Sequence, residues 1–253
     1  MLFYVLVKML VDVHCHLDFD QFNDLDEVIE RAKEAGLKAI LNNGISKKSN
    51  RKTLELAEKY PLVKPVLGLY PDEALKMNDR QINAEIEFIK KSKPVAIGEV
   101  GLDGMRVPNM IRQKEVFQKF IELAKELDIP IIVHSRQAEE TAVEMLEKAK
   151  AKKVIMHCFN GSLKLVKRIE KNGWHFSIPA NIVYANQFKE LVKTVSSNYL
   201  LTETDSPFLG PEKGKRNEPM NVKETIKVIA EIKQIEVEEA TKIIFMNYKR
   251  LFG

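Results

Sequence analysis

An α/β fold, a TIM-type (β/α)8 barrel in a single domain spanning residues 1–253, is the architecture this sequence predicts. Three observations lead to it. Short β-branched runs alternate with charged amphipathic stretches of helical period, the pattern of βα units around a parallel sheet. There are eight such units, the count that closes a barrel, and about 250 residues is the usual size of that fold. No low-complexity linker or composition break marks a second domain. An open doubly wound sheet is the alternative, and no G-x-G-x-x-G supports it.

In chain order, MLVDVH reads as the first strand and leads to a helix near 26–35, and KAILNN leads to one near 49–59. KPVLGLY precedes a helix near 79–91, VAIGEV one near 112–127, and PIIVHS one near 138–149. KVIMHCF is followed by 163–171, WHFSI by 186–196, and YLLTETD by 222–234, with a final helix near 237–248. The opening MLFYVLV is apolar but stops at Lys8, short of a membrane span, and lacks the basic region and cleavage site of a signal peptide. Residues 1–8 are expected to be a leader or edge strand, with Met9 an alternative natural start.

Apolar residues make up 45% and charged residues 30%, which excludes wholesale disorder. The net charge of +4 permits nucleic-acid binding without demanding it. Lysine outnumbers arginine and glutamate is abundant, a composition shared with some heat-adapted proteins. Two cysteines, Cys15 and Cys158, each inside a histidine-containing strand, point to a reduced cytoplasmic compartment and no disulfide. By strand alternation both face outward as small buried hydrophobes.

The chemistry gathers at strand ends. In VDVHCHLD, His14 and His16 project to one side of an extended chain and Asp12 shares that side, a chelating edge for a metal such as zinc. Glu99 ends the fourth strand, His134 the fifth, His157 the sixth and Asp205 the eighth. In a barrel these carboxyl ends meet at one mouth, where active sites of the fold sit. Each residue has a plainer reading: a lone histidine after an apolar run is more often hydrogen-bonded in the core, and Glu99 could be a surface acid. An unpaired carboxylate at the end of an apolar strand is costly to bury, however, and four of five histidines at one mouth favour a metal centre. His175 begins its strand at the opposite end and reads as packing.

VDVHCHLD, IGEVGLD, PIIVHSR, MHCFNGS, LLTETDSPFL and KRNEP follow one another as in the TatD family of metal-dependent deoxyribonucleases, within the metal-dependent amidohydrolase superfamily. NYKRLFG is similar to the family's C-terminal signature. The resemblance runs from about Met9 to Gly253 and implies a two-metal site (Zn, Mg or Mn). In it His14, His16 and Asp205 hold one divalent ion, His134 and His157 the other, and Glu99 bridges both. It further implies a 3′-5′ exodeoxyribonuclease acting on DNA, most readily single-stranded. Such a centre lowers the pKa of water from 15.7 to about 7. Asp205 is then the expected proton acceptor, and Glu203, read as lying on the same strand face, orients the water or supports a ligand. A lactone, amide or ester hydrolase with the same site is one alternative, and a non-catalytic metal-stabilised scaffold another. A monomer without membrane attachment is expected.

For substrate, Arg136 shares a face with His134 and its planar fork suits a phosphate, against the plainer reading of a rim salt bridge. Arg216 and Asn217 follow the eighth strand in a loop that the resemblance places near the mouth. Asn160 and Gly161 can offer backbone N–H groups to an anion. The chain departs from the family at GLYPDE, where Tyr70 and Asp72 stand in place of the usual histidines. Tyr70 reads as a base-stacking or packing residue. Gly104 replaces a common aromatic after IGEVGLD, and Asn160 a common serine.

Overall fold

A computed structural model describes residues 9–253; the leader or edge strand expected at residues 1–8 lies outside them. Eight parallel strands run in sequence order: β1 Leu10–Cys15, β2 Leu37–Asn43, β3 Val63–Leu67, β4 Ala96–Asp103, β5 Ile131–Arg136, β6 Val154–His157, β7 His175–Ile178 and β8 Leu200–Thr202. The sheet closes where Thr202 Oγ1 donates to Val11 O at 2.6 Å and the Asp205 N–H to His14 O at 2.9 Å.

Helices cover the outside: α1 Leu25–Glu34, α2 Lys47–Lys59, α3 Pro71–Leu75, α4 Asp79–Ser92, α5 Met110–Leu127, α6 Glu139–Lys148, α7 Leu163–Lys171, α8 Asn186–Thr194, α9 Val222–Lys233 and α10 Val237–Phe252. Their apolar stripes pack on strands whose own residues are almost wholly buried, including Val11, Ile40, Ile97, Ile132 and Ile155 at 0–1% exposure. Cutting one such isoleucine to alanine costs about 2–5 kcal/mol. Helix starts follow capping chemistry. Ser46 accepts the Ser49 N–H at the head of α2, and Asn78 and Gln81 cap each other reciprocally at α4.

The differences from the sequence reading lie where strands end. The short helix α3 is absent from that reading because five residues are too few to show a helical period. β4 runs on through Gly101 to Asp103 rather than stopping at Val100. Gly101 has φ +143°, and a Cβ there would sit 1.9 Å from the His134 carbonyl oxygen, so only glycine lets β4 and β5 pair at that level. β6 stops at His157 and β8 at Thr202, earlier than expected. Cys158 and Asp205 then adopt left-handed backbones with φ 44° and 53°. Strand alternation therefore does not carry past these points. Cys15 is fully buried as expected, but Cys158 is half-buried and lines the cavity at the mouth. Both thiols are free.

His175 begins β7 at the end away from the mouth, edge-on to Tyr199 with ring centroids 5.6 Å apart. Burial, helped by Arg250, pushes its imidazole down to about 4. An unfolded histidine titrates near 6.5, so between these values the unfolded chain holds more protons and the fold loses stability as pH falls. Above about 6.5 the effect vanishes. Denaturant titrations of the wild type and His175→Phe should diverge below pH 6.5, with the variant the less pH-sensitive by up to about 3 kcal/mol at pH 4. Parallel curves would reject a neutral buried imidazole.

Candidate metal centre

Four imidazoles and two carboxylates meet at the carboxyl end of the barrel. His14 Nε2 lies 3.2 Å from His16 Nε2, 3.5 Å from Glu99 Oε2 and 3.6 Å from Asp205 Oδ1. His16 Nε2 lies 3.5 Å from the same Glu99 oxygen and 3.4 Å from the same Asp205 oxygen. Donors on a tetrahedron about 2.0–2.1 Å from its centre are about 3.3–3.4 Å apart. The five distances therefore describe donor atoms spaced to share one cation. Two facing imidazole nitrogens hold at most one proton between them, and the buried Nδ1 of His14 has no hydrogen-bond partner among the described residues.

Glu99 faces two ways. Its Oε2 looks at His14 and His16, whereas Oε1 is 2.9 Å from His134 Nδ1 and 3.9 Å from His157 Nε2. The pairs sit close: the His14 and His157 rings stack at 3.7 Å, and His14, Glu99 and His157 also place donor atoms within 4.8 Å of one another.

Three of the four imidazoles are held by their far nitrogens. His16 Nδ1 contacts Asn43 O at 2.9 Å, and His157 Nδ1 contacts Glu203 Oε2 at 2.8 Å. His134 Nε2 is 3.3 Å from Asp103 Oδ2. Such partners set the tautomer and leave the near nitrogen's lone pair facing inward. Asp103 is itself fixed, accepting N–H groups from Met105 and Arg106 and, at 2.6 Å, the Tyr70 hydroxyl.

The charges reflect this crowding. Burial, with His157 alongside, pushes His14 down to about 3. Burial acts the same way on His16 and His157, but Asp205 and Glu99 raise the first to about 9 and Glu203 raises the second to about 10. Glu99 is fully surrounded, yet its histidines hold it well below the ordinary carboxylate range. The cluster thus has a strong appetite for cations, which a divalent metal satisfies with the same lone pairs that would otherwise take protons.

The structure gathers His14, His16, Glu99, His134, His157 and Asp205, the six residues named as ligands from sequence. Asp12 does not join them. Its carboxylate accepts the N–H groups of His14 and Thr204 and, at 2.6 Å, the Thr204 hydroxyl, joining β1 to the segment after β8. Glu203 lies beyond the end of β8 rather than on a strand face shared with Asp205. It is fully buried, bonded to His157, the Cys158 N–H and Ser177, and positions His157 rather than lining the cavity.

Above the ligands opens a cavity of about 830 Å³ lined in part by Tyr70, Arg106, Arg136, Asn160, Asp205 and Phe208. Arg136 and Asn160 are exposed at its rim, and the half-buried Tyr70 bonds to Asp103. Gly161 packs against Phe159 and is not part of the lining. Arg216 and Asn217 do not line it either. Arg216 is held at 2.8 and 2.9 Å by Asp24 and Glu218, and Asn217 is buried with its amide on the Thr204 and Phe208 carbonyls. Sequence reasoning missed Asp103, Arg106 and Phe208. The first had a signal, since it closes the IGEVGLD motif; the other two had none beyond their neighbours.

A parallel barrel with imidazoles and carboxylates converging on its mouth defines a barrel hydrolase of the metal-dependent class. The model of the TatD related DNase family matches residues 11–253, and the chain belongs to that family. It is a TatD-type metal-dependent hydrolase. An uncharacterized metal-dependent hydrolase of Methanocaldococcus jannaschii is 42% identical over 246 residues, covering 96% of each chain. The deoxyribonuclease TATDN3 of Homo sapiens is 38% identical over 260 residues, covering 96% of this chain and 94% of its own. The crystal structure of a TatD homologue from Escherichia coli superposes with a TM-score of 0.91 at 27% identity, covering 97% of this chain and 98% of that one. No helix among the described residues is long and apolar enough to cross a membrane.

Asp103→Asn and Glu203→Gln each remove a carboxylate from the far side of an imidazole. Equilibrium dialysis against zinc or manganese should show each variant binding metal about 10–100-fold more weakly than wild type. Unchanged affinity in both would mean the imidazoles need no such support.

Proposed function

We propose that this chain is a divalent-metal-dependent deoxyribonuclease that hydrolyses phosphodiester bonds, with single-stranded DNA as substrate and 3′-end-directed exonucleolytic attack as its mode. The spacing of the donors around Glu99 carries the metal part of the reading. His14, His16 and Asp205 would hold one ion, His134 and His157 a second, and Glu99 both, with zinc, manganese or magnesium as candidates. The deoxyribonuclease name of the human relative supports the substrate.

A bound pair of ions would supply Lewis acidity toward the phosphodiester and a water acidic enough to react at neutral pH. The chain's own residues do the rest. Asp205 turns Oδ1 to the histidines, while its Oδ2 has no hydrogen-bond partner among the described residues and accepts the proton of the attacking water. His16 keeps the Asp205 carboxyl ionised at neutral pH against the effect of burial. Arg136, exposed at the rim and without an ion-pair partner among the described residues, is free to bind a phosphate oxygen bidentately.

The open mouth, with Arg106, Arg136, Tyr70 and Phe208 in its lining, favours a strand over a small lactone or amide, which closed pockets suit better. An assay of metal-loaded protein on single-stranded DNA beside a lactone and ester panel, with chelator controls, tests the reaction. DNA cleavage abolished by chelator is expected, and turnover confined to the lactone and ester panel would overturn the reading. Glu99→Gln should lose metal and activity together. Asp205→Asn should cut kcat by at least about 100-fold with the fold intact; near-normal rates would remove it as the base.

A further inference from the structure

Phe208 is 48% exposed, an unusual position for a large aromatic beside a buried ionic cluster. It is not a loose loop residue. Its N–H donates to Asp205 O at 2.8 Å, so one tight turn carries both a ligand and this ring. Buried Asn217 pins the same turn from behind, donating its side-chain amide to Phe208 O at 2.8 Å and its N–H to Pro207 O at 3.0 Å. The ring meets Phe19 edge-on at 5.9 Å, and Phe19 stacks on His16 at 5.0 Å with planes 19° apart. Phe19 thus packs between His16 and Phe208, and Phe208 presents its ring on the cavity wall.

The opposite wall carries two guanidinium groups, with the acidic Asp72 and Glu139 also in the lining. With strands ordered β1 to β8 around the barrel, the loop after β4 lies across the mouth from the turn after β8. That loop carries Arg106, whose N–H is held by Asp103 at 2.7 Å. Arg106 and Arg136 both line the cavity, both are exposed, and neither guanidinium has an ion-pair partner among the described residues. Arg31, Arg112, Arg168 and Arg216, by contrast, are each paired with a carboxylate.

We infer that the mouth is a two-sided nucleotide cleft, in which Phe208 is the shelf for one unpaired nucleobase next to the scissile phosphate and Arg106, with Arg136, takes a flanking phosphate on the far side. This rests on the phosphodiesterase reading and narrows it to strands with a base free to leave its stack. Stacking of a base on an aromatic side chain is sequence-tolerant because every base has a π face, so the shelf accepts any of them. A purely structural Phe208 would be indifferent to what the substrate carries.

The test pairs a change in the protein with a change in the substrate. Single-stranded oligonucleotides carry one abasic spacer, moved nucleotide by nucleotide from the cleaved end, and kcat/KM is measured with metal-loaded wild type, Phe208→Ala and Phe208→Trp. Wild type should lose about tenfold at one spacer position, and Phe208→Ala about tenfold on the unmodified strand with no further loss at that position. Phe208→Trp should restore the wild-type pattern. If Phe208→Ala stays as spacer-sensitive as wild type, or wild type cleaves every spacer strand equally, the shelf is overturned while the hydrolase reading stands. If metal-loaded wild type cleaves no strand at all, the reading beneath it fails as well. Arg106→Ala should flatten the dependence of log KM on log salt by about 0.7, one single-strand phosphate contact; an unchanged slope removes Arg106 from the cleft.

Discussion

Glu99 is the group on which the site depends. It is 4% exposed, sits midway along β4 where the pairing with β5 shifts register, and turns each of its oxygens to a different pair of imidazoles. Glu203 and Asp103 are wholly buried nearby, and Asp205 is half-buried with its side chain 16% exposed. Charges this closely packed away from water stand only if cations lie among them, and removing one member of such a set costs about 3–5 kcal/mol. Protons on histidines can meet that need in part, but two imidazole nitrogens 3.2 Å apart cannot both be protonated toward each other. Divalent ions meet it without that conflict.

The barrel makes the arrangement affordable. His14, His16, His157 and Asp205 stand at or just beyond the carboxyl ends of β1, β6 and β8, where the regular ladder gives way to a turn, while Glu99 and His134 project from within β4 and β5. At Cys158 and Asp205 that turn is a left-handed residue, and at Gly101 it is a glycine that lets β4 and β5 approach at the level of His134. The strand framework fixes these positions, so the far nitrogens of the histidines can be held by Asn43, Asp103 and Glu203. Asp12 serves the same end from beneath, since its bonds to His14 and Thr204 close the barrel directly under the ligands.

Much of this was legible in the chain before its structure. The alternation of β-branched runs and amphipathic stretches defines the eight units, because burial on both faces of a parallel sheet leaves a strong mark on sequence. The residues of the cluster were legible because histidine is scarce here and four of the five end apolar runs. Periodicity failed where it had no physical basis. Glu203 and Asp205 were read as strand neighbours, but β8 ends at Thr202 and the two side chains part company, one to His157 and the other to His14 and His16. Asp103 was passed over because Gly101 looks like a strand break. Arg216 looked like a phosphate contact because the charge of Asp24, far away in sequence, could not be seen beside it. Phe208 and Arg106 carry no pattern at all; only the closed barrel sets them on facing walls.

The most direct test is anomalous diffraction from crystals soaked in manganese or zinc, with data collected at the absorption edge. The expected result is a peak among His14 Nε2, His16 Nε2, Glu99 Oε2 and Asp205 Oδ1 at about 2.0–2.2 Å from each, and a second beside His134 Nδ1 and His157 Nε2 sharing Glu99. A map with no peak at either position, or with metal bound only elsewhere on the surface, would contradict the account.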